Sequence, residues 1–439
     1  MPEKHLTIGI LVGGGPAPGI NSVIGAATIR GILGGAAVLG LQDGFKWLME
    51  GDRTKATPLT IEEVSRIHLR GGSALGISRA NPAKQAASLE RVLQTLESLN
   101  VSGLITIGGD DTALSALTLQ HLARGRLQVV HVPKTIDNDL DLPYGIPTFG
   151  FQTARHVGVG VVTNLMVDAR TTSRWYLVVT MGRKAGHLAL GIGKAAGATL
   201  TLIPEEFAER PIRLATIVDT LVGAIIKRRS MGRNDGVAVL AEGLAEYLSP
   251  ADFGGLDHIE RDEHGHVRLA EVDLGDVIKR AIERALKEVG IKTTLVAKEI
   301  GYELRCADPI PFDMEYTRDL GYCAAQFLLD GGSAAMVSIQ NGRFVPIPFE
   351  QMLDPQTGRP RVRMVDVRSE SYRIARRYMI RLSAEDFDDP QAVTRYAAVV
   401  KTTPEAFRAR FGYLVERQAV AIQAGAEGIA AAGFLNEGA

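Results

Sequence analysis

The sequence predicts an α/β protein built as two doubly wound, mainly parallel-sheet lobes, and three observations carry that prediction. Short apolar runs alternate with stretches of helical spacing, and each run stops abruptly in a glycine- or aspartate-rich loop. At 439 residues the chain is long enough for two or three domains with substantial cores. Its composition, 46% hydrophobic and 23% charged, is that of a soluble globular protein. The 48 glycines exceed the usual ~7% without a collagen-like period, which points to loops made largely of backbone.

Taken in order, residues 6–12 read as a strand that ends in Gly13-Gly14-Gly15-Pro16-Ala17-Pro18-Gly19, and 20–33 as the helix after it. A second unit repeats this grammar, with a helix over about 82–99, a strand over 101–107, the turn Gly108-Gly109-Asp110-Asp111 and a helix from Thr112. A third strand, 127–132, ends in Pro133-Lys134-Thr135-Ile136-Asp137-Asn138-Asp139. Three strands thus deliver polar loops at their C-terminal ends, where parallel α/β sheets place ligands. A second lobe is expected from strands at 175–180, 236–240 and 295–300, running into Met181-Gly182-Arg183, Ala241-Glu242-Gly243 and Gly301-Tyr302-Glu303-Leu304-Arg305. Residues 252–267 and 354–363 read as irregular surface insertions, and the Ala-rich stretch 404–434 as a helical cap.

Charge and cysteine content exclude several classes. With 49 Lys+Arg against 50 Asp+Glu, a net charge of -1, no global field attracts nucleic acid or an anionic membrane, so neither is expected as a partner. The run Lys227-Arg228-Arg229 reads as a solvated helix end. Cys306 and Cys323 are too few for a disulfide framework and read as packing residues in a reducing compartment. The N-terminal residues lack a signal-peptide pattern and no apolar run approaches ~18 residues, so the expectation is a cytoplasmic protein. His264 and His266 lie in the polar insertion without partners and read as surface residues.

The chemistry is expected in the loops. The stretch from Gly13 to Gly19 has the traits of an anion cradle, because glycines let backbone N–H groups approach phosphate oxygens ahead of a helix N-terminus. It fits neither the dinucleotide fingerprint nor the P-loop, since its last glycine is Gly19 and Ile20-Asn21 follows; a merely tight turn stays open. Asp110 and Asp111 add two carboxylates at a strand end, where one can serve Mg²⁺ and glycines pass close to a phosphate, although a plain helix cap is the alternative. Asp137 and Asp139 offer a base for a substrate hydroxyl, or an Asx-turn. Arg174, Arg183 and Arg305 fall near strand ends and, with Glu242 and Tyr302, form a plausible sugar-phosphate constellation.

In this order the motifs GGGPAPGIN, GISR, GGDD, PKTIDND, MGRKAGHLA, AEG and GYELR resemble those of the phosphofructokinase family, over nearly three quarters of the chain. The resemblance implies transfer of a phosphoryl group to the 1-hydroxyl of fructose 6-phosphate in a cleft between two α/β lobes, with Mg²⁺ as cofactor. It implies a donor lobe over 1–148 completed by about 304–360, and a sugar-phosphate lobe over 149–303 completed by about 361–439. Asp137 matches the general base and Asp110 the Mg²⁺-linked aspartate, with Thr135 and Asp139 beside the transferred group. Gly14, Gly15 and Gly109 fall on the donor-phosphate loops, and Arg79 near an arginine bridging donor and acceptor. Met181, Gly182, Arg183, Glu242, Tyr302 and Arg305 match the fructose 6-phosphate site, with Arg305 on the phosphate. Arg174 matches an arginine supplied by a neighbouring subunit, which implies a homodimer or homotetramer.

Two positions sort the donor. ATP-dependent members of the family usually carry Gly where this chain has Asp111 and Lys134, whereas pyrophosphate-dependent members resemble this chain at both. Physical chemistry agrees, because a carboxylate at 111 would meet a nucleotide α-phosphate. Two unit charges ~4 Å apart at an effective dielectric of ~20 repel by about 4 kcal/mol. Lys134 then supplies a cation to pyrophosphate and to the charge building on the transferred and leaving oxygens. The expected reaction is reversible, in-line attack on Mg-pyrophosphate by a sugar hydroxyl deprotonated by Asp137, under little effector control. The alternatives are an ATP-dependent enzyme, a sedoheptulose 7-phosphate kinase of the same fold, and a silent regulatory subunit, which would be expected to have lost Asp137 or Asp110. One departure stands out: Val296 and Ala297 occupy the region of a second cross-subunit arginine, with Lys298 the nearest cation.

Overall fold

A computed structural model describes residues 6–143, 145–249, 252, 273–358 and 360–415. The chain divides into two compact units, Met1–Val157 with Tyr302–Arg363, and Gly158–Gly301 with Met364–Ala439.

The first unit is organised around seven strands: β1 (Thr7–Val12), β2 (Ala37–Leu41), β3 (Ala56–Pro58), β4 (Gly103–Gly108), β5 (Gln128–Pro133), β10 (Ala335–Met336) and β11 (Ile347–Pro348), in the sheet order β11-β10-β5-β4-β1-β2-β3. The strands from β10 to β2 are parallel, and the edges β3 and β11 run antiparallel. Pro58 and Pro348 sit on these edges, where a missing N–H costs no ladder bond. Every residue of β4 is buried, as an apolar run covered on both faces of a parallel sheet should be. Helix Ala86–Ser98 buries Leu89, Val92, Leu93 and Leu96, a 3.6-period stripe that joins Leu104, Leu119 and Val129 in one core. Helices Ile20–Leu33 and Pro311–Leu329 pack on each other, with the Gly321 Cα facing the Val23 backbone so closely that a Cβ would lie 2.5 Å from the Val23 carbonyl oxygen.

The second unit holds a four-stranded, wholly parallel sheet of β6 (Arg174–Thr180), β7 (Leu200–Leu202), β8 (Gly236–Ala241) and β9 (Thr294–Ile300), in the order β7-β8-β6-β9. Helices Leu214–Ser230 and Leu274–Glu288 cover it through Leu221, Ile225, Ile278 and Ile282. Helices Pro390–Val399 and Pro404–Phe411 add Val393, Tyr396, Phe407 and Phe411 to the same core.

Several sequence expectations are refined. The helix after Gly109 starts at Asp110, two residues early, so Asp110 and Asp111 occupy its first turn, where carboxylates complement the helix dipole. The expected helix over 82–99 begins as a 3₁₀ turn, Pro82–Lys84, capped by Asn81, and becomes α-helical at Ala86. Residues 354–363 are irregular but not idle, since Val362 forms a bridge with Leu140 and Leu353 with Pro360. Of the insertion 252–267 only Asp252 is described; its carboxylate accepts from the Leu214 N–H at 2.8 Å. His264, His266 and the tail of the expected C-terminal helix lie outside the described residues. Both cysteines are free thiols, with Cys323 pushed up to about 11 by burial and Cys306 exposed, so the packing reading suits only Cys323. Among the described residues no helix is long and apolar enough to cross a membrane.

Candidate active site

In the first unit three parallel strands end side by side. The backbone of Gly13 donates to the Ile107 carbonyl and that of Gly14 to Ser78, both at 2.9 Å, which seats the glycine loop beside β4 and places the exposed Arg79 next to it. Gly14 takes a φ of 85°, open to glycine at little cost. Gly19, with a φ of 102°, would place a Cβ 2.6 Å from Thr317, so this turn into the next helix has no room for a side chain.

Lys134 is the centre of this half. Its backbone N–H donates to the Gly108 carbonyl at 2.8 Å and its ammonium to the Gly15 carbonyl, tying the β5 loop to both glycine loops. The side chain is buried, and burial pulls its pKa down to about 8 against the attraction of Asp137, Asp139 and Asp110, with Arg305 pushing the same way as burial. The structure therefore gathers Asp110, Lys134, Asp137, Asp139 and Arg305 into one electrostatic cluster. Arg305 lies in the short helix Tyr302–Arg305, its guanidinium 4.4 Å from the Tyr302 ring centroid and close to Gly15. Its Nε is buried with no hydrogen-bond partner among the described residues, a donor suited to an anionic guest. Thr135 accepts from the Asp137 N–H at 3.1 Å, which fixes the loop at the residue expected to act as base. Gly109 caps the next helix, and Asp111 within its first turn is solvent-exposed, so water moderates the repulsion it would exert on a nucleotide.

Three supporting residues escaped the motif reading. Arg363 donates to the Asn138 carbonyl at 3.1 and 3.2 Å and the Ile146 carbonyl at 2.8 Å, and grips the Asn138 side chain, while its N–H bonds the Asp139 carbonyl at 2.7 Å. It clamps the loop that carries Asp137, with Asn138 in a left-handed conformation at φ 57°. His131 is fully buried in β5 and burial drives its pKa down to about 3. Because a carbonyl only accepts, the neutral ring donates from Nε2 to Gly108 at 3.0 Å and accepts at Nδ1 from Thr106 at 2.9 Å. Asp313, also fully buried, accepts from the Gly150 and Thr153 N–H groups at 2.9 and 2.7 Å and from the Thr153 hydroxyl at 2.6 Å, anchoring the start of helix Phe151–Thr172. These residues leave no local signal, because their partners are set by the tertiary fold.

The second unit carries a different set. Met181 leaves β6 with its N–H on the Ile300 carbonyl at 2.9 Å, and Gly182 donates to the Glu242 carboxylate at 3.1 Å, so β6, β8 and β9 bring Met181, Gly182 and Glu242 together. Arg183 and Glu242 are exposed. Glu205 underpins this loop: its carboxylate accepts from the Gly186 N–H at 2.8 Å and the Val365 N–H at 3.0 Å, and burial raises its pKa. Arg174 is not part of this group. It stands at the opposite end of β6 from Met181, roughly 20 Å away along an extended strand, with its Nε 3.8 Å from the Asp168 carboxylate.

Comparison with known proteins agrees with this architecture. The family description Phosphofructokinase matches residues 7–328. The pyrophosphate--fructose 6-phosphate 1-phosphotransferase of Thermotoga maritima is 54% identical over 414 residues, 93% of this chain and 99% of the relative. The protein of the same name from Naegleria fowleri is 50% identical over 94% of this chain and 97% of its own length. Among solved structures, the pyrophosphate-dependent phosphofructokinase of Marinobacter aquaeolei superposes with a TM-score of 0.61 at 16% identity, over 91% of this chain and 92% of that one, a likeness of fold. With glycine loops, acidic turn and buried lysine set on such a fold, the chain belongs to the phosphofructokinase family.

Proposed function

We propose that the protein transfers a phosphoryl group from pyrophosphate to the 1-hydroxyl of fructose 6-phosphate, reversibly, giving fructose 1,6-bisphosphate and orthophosphate. The observation that carries this reading is Lys134, a buried ammonium tied to the first glycine loop and faced by Asp110 and Asp137, with Asp111 at the head of the adjoining helix. The relatives at 50% and 54% identity bear names that specify this reaction.

Asp137 takes the proton of the sugar hydroxyl as that oxygen forms its bond to phosphorus, and the bond to the leaving phosphate breaks in line. Lys134 stabilises charge on the transferred and leaving oxygens from a site where low dielectric strengthens the interaction. Arg305 adds a fork for a phosphate group, and the exposed Arg183 and Glu242 serve the sugar phosphate and its hydroxyls.

A divalent metal fits these residues. Among the described residues no three His, Cys, Asp or Glu side chains form a metal cage, and Mg²⁺ in phosphoryl-transfer sites is commonly held by one or two carboxylates plus substrate phosphates. Asp110 would hold it, with Asp139 nearby as a further oxygen donor. When bound, the metal supplies charge neutralisation on the pyrophosphate oxygens.

The placement of Arg174 favours a shared site. At the far end of β6 it cannot join Met181 and Gly182 of its own chain, so its expected contact with the sugar phosphate requires a second copy, as in a homodimer or homotetramer. The reaction is tested by following fructose 1,6-bisphosphate formation from fructose 6-phosphate, Mg²⁺ and pyrophosphate, and pyrophosphate formation from the bisphosphate and orthophosphate. Turnover in both directions is expected; no turnover with pyrophosphate at saturating sugar phosphate would overturn the reading.

A further inference from the structure

Helix Phe151–Thr172 ends one residue before β6 begins, and Ser173 between them takes a left-handed φ of 54° that closes the helix. The turn lays the first residues of the strand beside the last turns of the helix they follow. Asp168 and Thr172 stand one turn apart on that helix, and Arg174 and Tyr176, two residues apart, share a face of the strand.

Three groups converge on one oxygen there. The Asp168 Oδ2 accepts from the Tyr176 hydroxyl, and the Thr172 hydroxyl, bonded to the Asp168 carbonyl at 2.7 Å, lies 3.4 Å from the same oxygen. Arg174 comes last. Its Nε stops 3.8 Å from Oδ2, within ion-pair range but beyond a hydrogen bond, and it is buried with no hydrogen-bond partner among the described residues. Tyr176 is itself buried. The hydrogen bond to Asp168 and burial raise its pKa while Arg174 lowers it, so the phenol oxygen lies within reach of both charges.

An arginine and a carboxylate left to themselves close into a fork of two parallel bonds, and a guanidinium engaged in that way has little left for a phosphate. With Oδ2 taken by the phenol, the pair stays open: the Nε is unspent, and the Arg174 side chain keeps 34% of its surface in solvent.

We propose that Tyr176 is a positioning residue for sugar-phosphate binding, its hydroxyl occupying the Asp168 oxygen and so keeping Arg174 available to the phosphate of fructose 6-phosphate. This role rests on the reading that Arg174 serves the site of a second copy.

The test is initial-rate kinetics of the full chain with pyrophosphate, Mg²⁺ and varied fructose 6-phosphate. Tyr176→Phe deletes one oxygen and keeps the packed ring, so the fold, checked by a circular dichroism melt, is retained. The freed carboxylate then draws Arg174 into a closed pair, and the KM for fructose 6-phosphate should rise roughly fivefold, the scale of one displaced hydrogen bond, with kcat and the KM for pyrophosphate unchanged. Adding Asp168→Asn to Tyr176→Phe removes the capturing charge, and the raised KM should return toward the wild-type value. A merely structural Tyr176 gives the reverse, two lost groups doing more harm than one. Arg174→Gln separates the two layers. A raised KM in Arg174→Gln with an unchanged KM in Tyr176→Phe, or a double variant no better than the single, overturns the role of Tyr176 alone; an unchanged KM in Arg174→Gln overturns the reading of Arg174 and this role with it.

Discussion

The two units present their candidate substrate groups in contrasting ways. In the first, the key cation is buried and its neighbours are locked: Lys134 is bonded to two glycine loops, Arg363 clamps the Asp137 loop, and His131 ties β5 to Gly108. In the second, Arg183 and Glu242 stand exposed on loops whose order comes from backbone bonds to β6, β8 and β9, with Glu205 beneath them. The contrast suits the chemistry proposed for each half. A donor half that stabilises developing charge gains from a preorganised, desolvated cation, whereas an acceptor half that must admit and release a sugar phosphate can leave its charged arms in water. Substitutions in the first unit should therefore affect kcat, and those in the second mainly the KM for the sugar phosphate.

The largest effect is expected from Asp137→Asn, which removes the base while keeping its shape: kcat should fall by roughly 10²–10⁴ with little change in either KM. An equal loss confined to KM would move Asp137 from proton transfer to binding. Next comes Lys134→Met, expected to lower kcat/KM for pyrophosphate by about 10²–10³. Because it also leaves the Gly15 carbonyl without its donor and Asp137 without its counter-charge, the melting temperature should fall, and rates are compared well below it. In the wild type, kcat/KM for pyrophosphate should decline as pH rises past about 8, where Lys134 loses its proton.

Arg363→Leu should act on both properties. It leaves the Asn138 and Ile146 carbonyls without their donor, a loss of about 3 kcal/mol by denaturant unfolding, and kcat falls with the loosened Asp137 loop. Unchanged stability would show that the clamp does not hold the loop. Glu242→Gln, at an exposed position, should raise the KM for fructose 6-phosphate several-fold and leave that for pyrophosphate and the melting temperature alone. The smallest effect concerns acid stability. His131 has a native pKa of about 3 against about 6.5 in the unfolded chain. The stability tied to its neutral form is present above pH 6.5 and is lost as pH falls from 6.5 toward 3. Unfolding of His131→Gln should show a shallower pH slope across that window than the wild type.

Much of this was legible in the sequence because parallel α/β proteins write their sites locally. The apolar runs at β1, β4 and β5 and the loops after them mark both strand and ligand end; Gly14, Lys134 and Asp137 follow those strands as expected, while Asp110 opens the helix after β4. What stayed hidden depends on partners distant in sequence. Arg363 sits in a segment that reads as a surface insertion, yet its partners are Asn138 and Ile146, more than two hundred residues away. His131 lies inside an apolar strand, where only the fold shows that Thr106 and Gly108 flank it. Arg373, Arg376 and Arg377 on helix Glu370–Tyr378 belong to no sequence motif, and only the packing of that helix beside Glu206 and Lys227 gathers them.

Selection of pyrophosphate over a nucleotide falls, on this reading, to Asp111 and Lys134. It is tested most directly by initial rates with fructose 6-phosphate and Mg²⁺, pyrophosphate against ATP, on the wild type and on Asp111→Gly combined with Lys134→Gly. Turnover with pyrophosphate alone in the wild type, and ATP use emerging in the double variant as pyrophosphate use falls, is the predicted result; wild-type turnover with ATP at least as efficient as with pyrophosphate would contradict it.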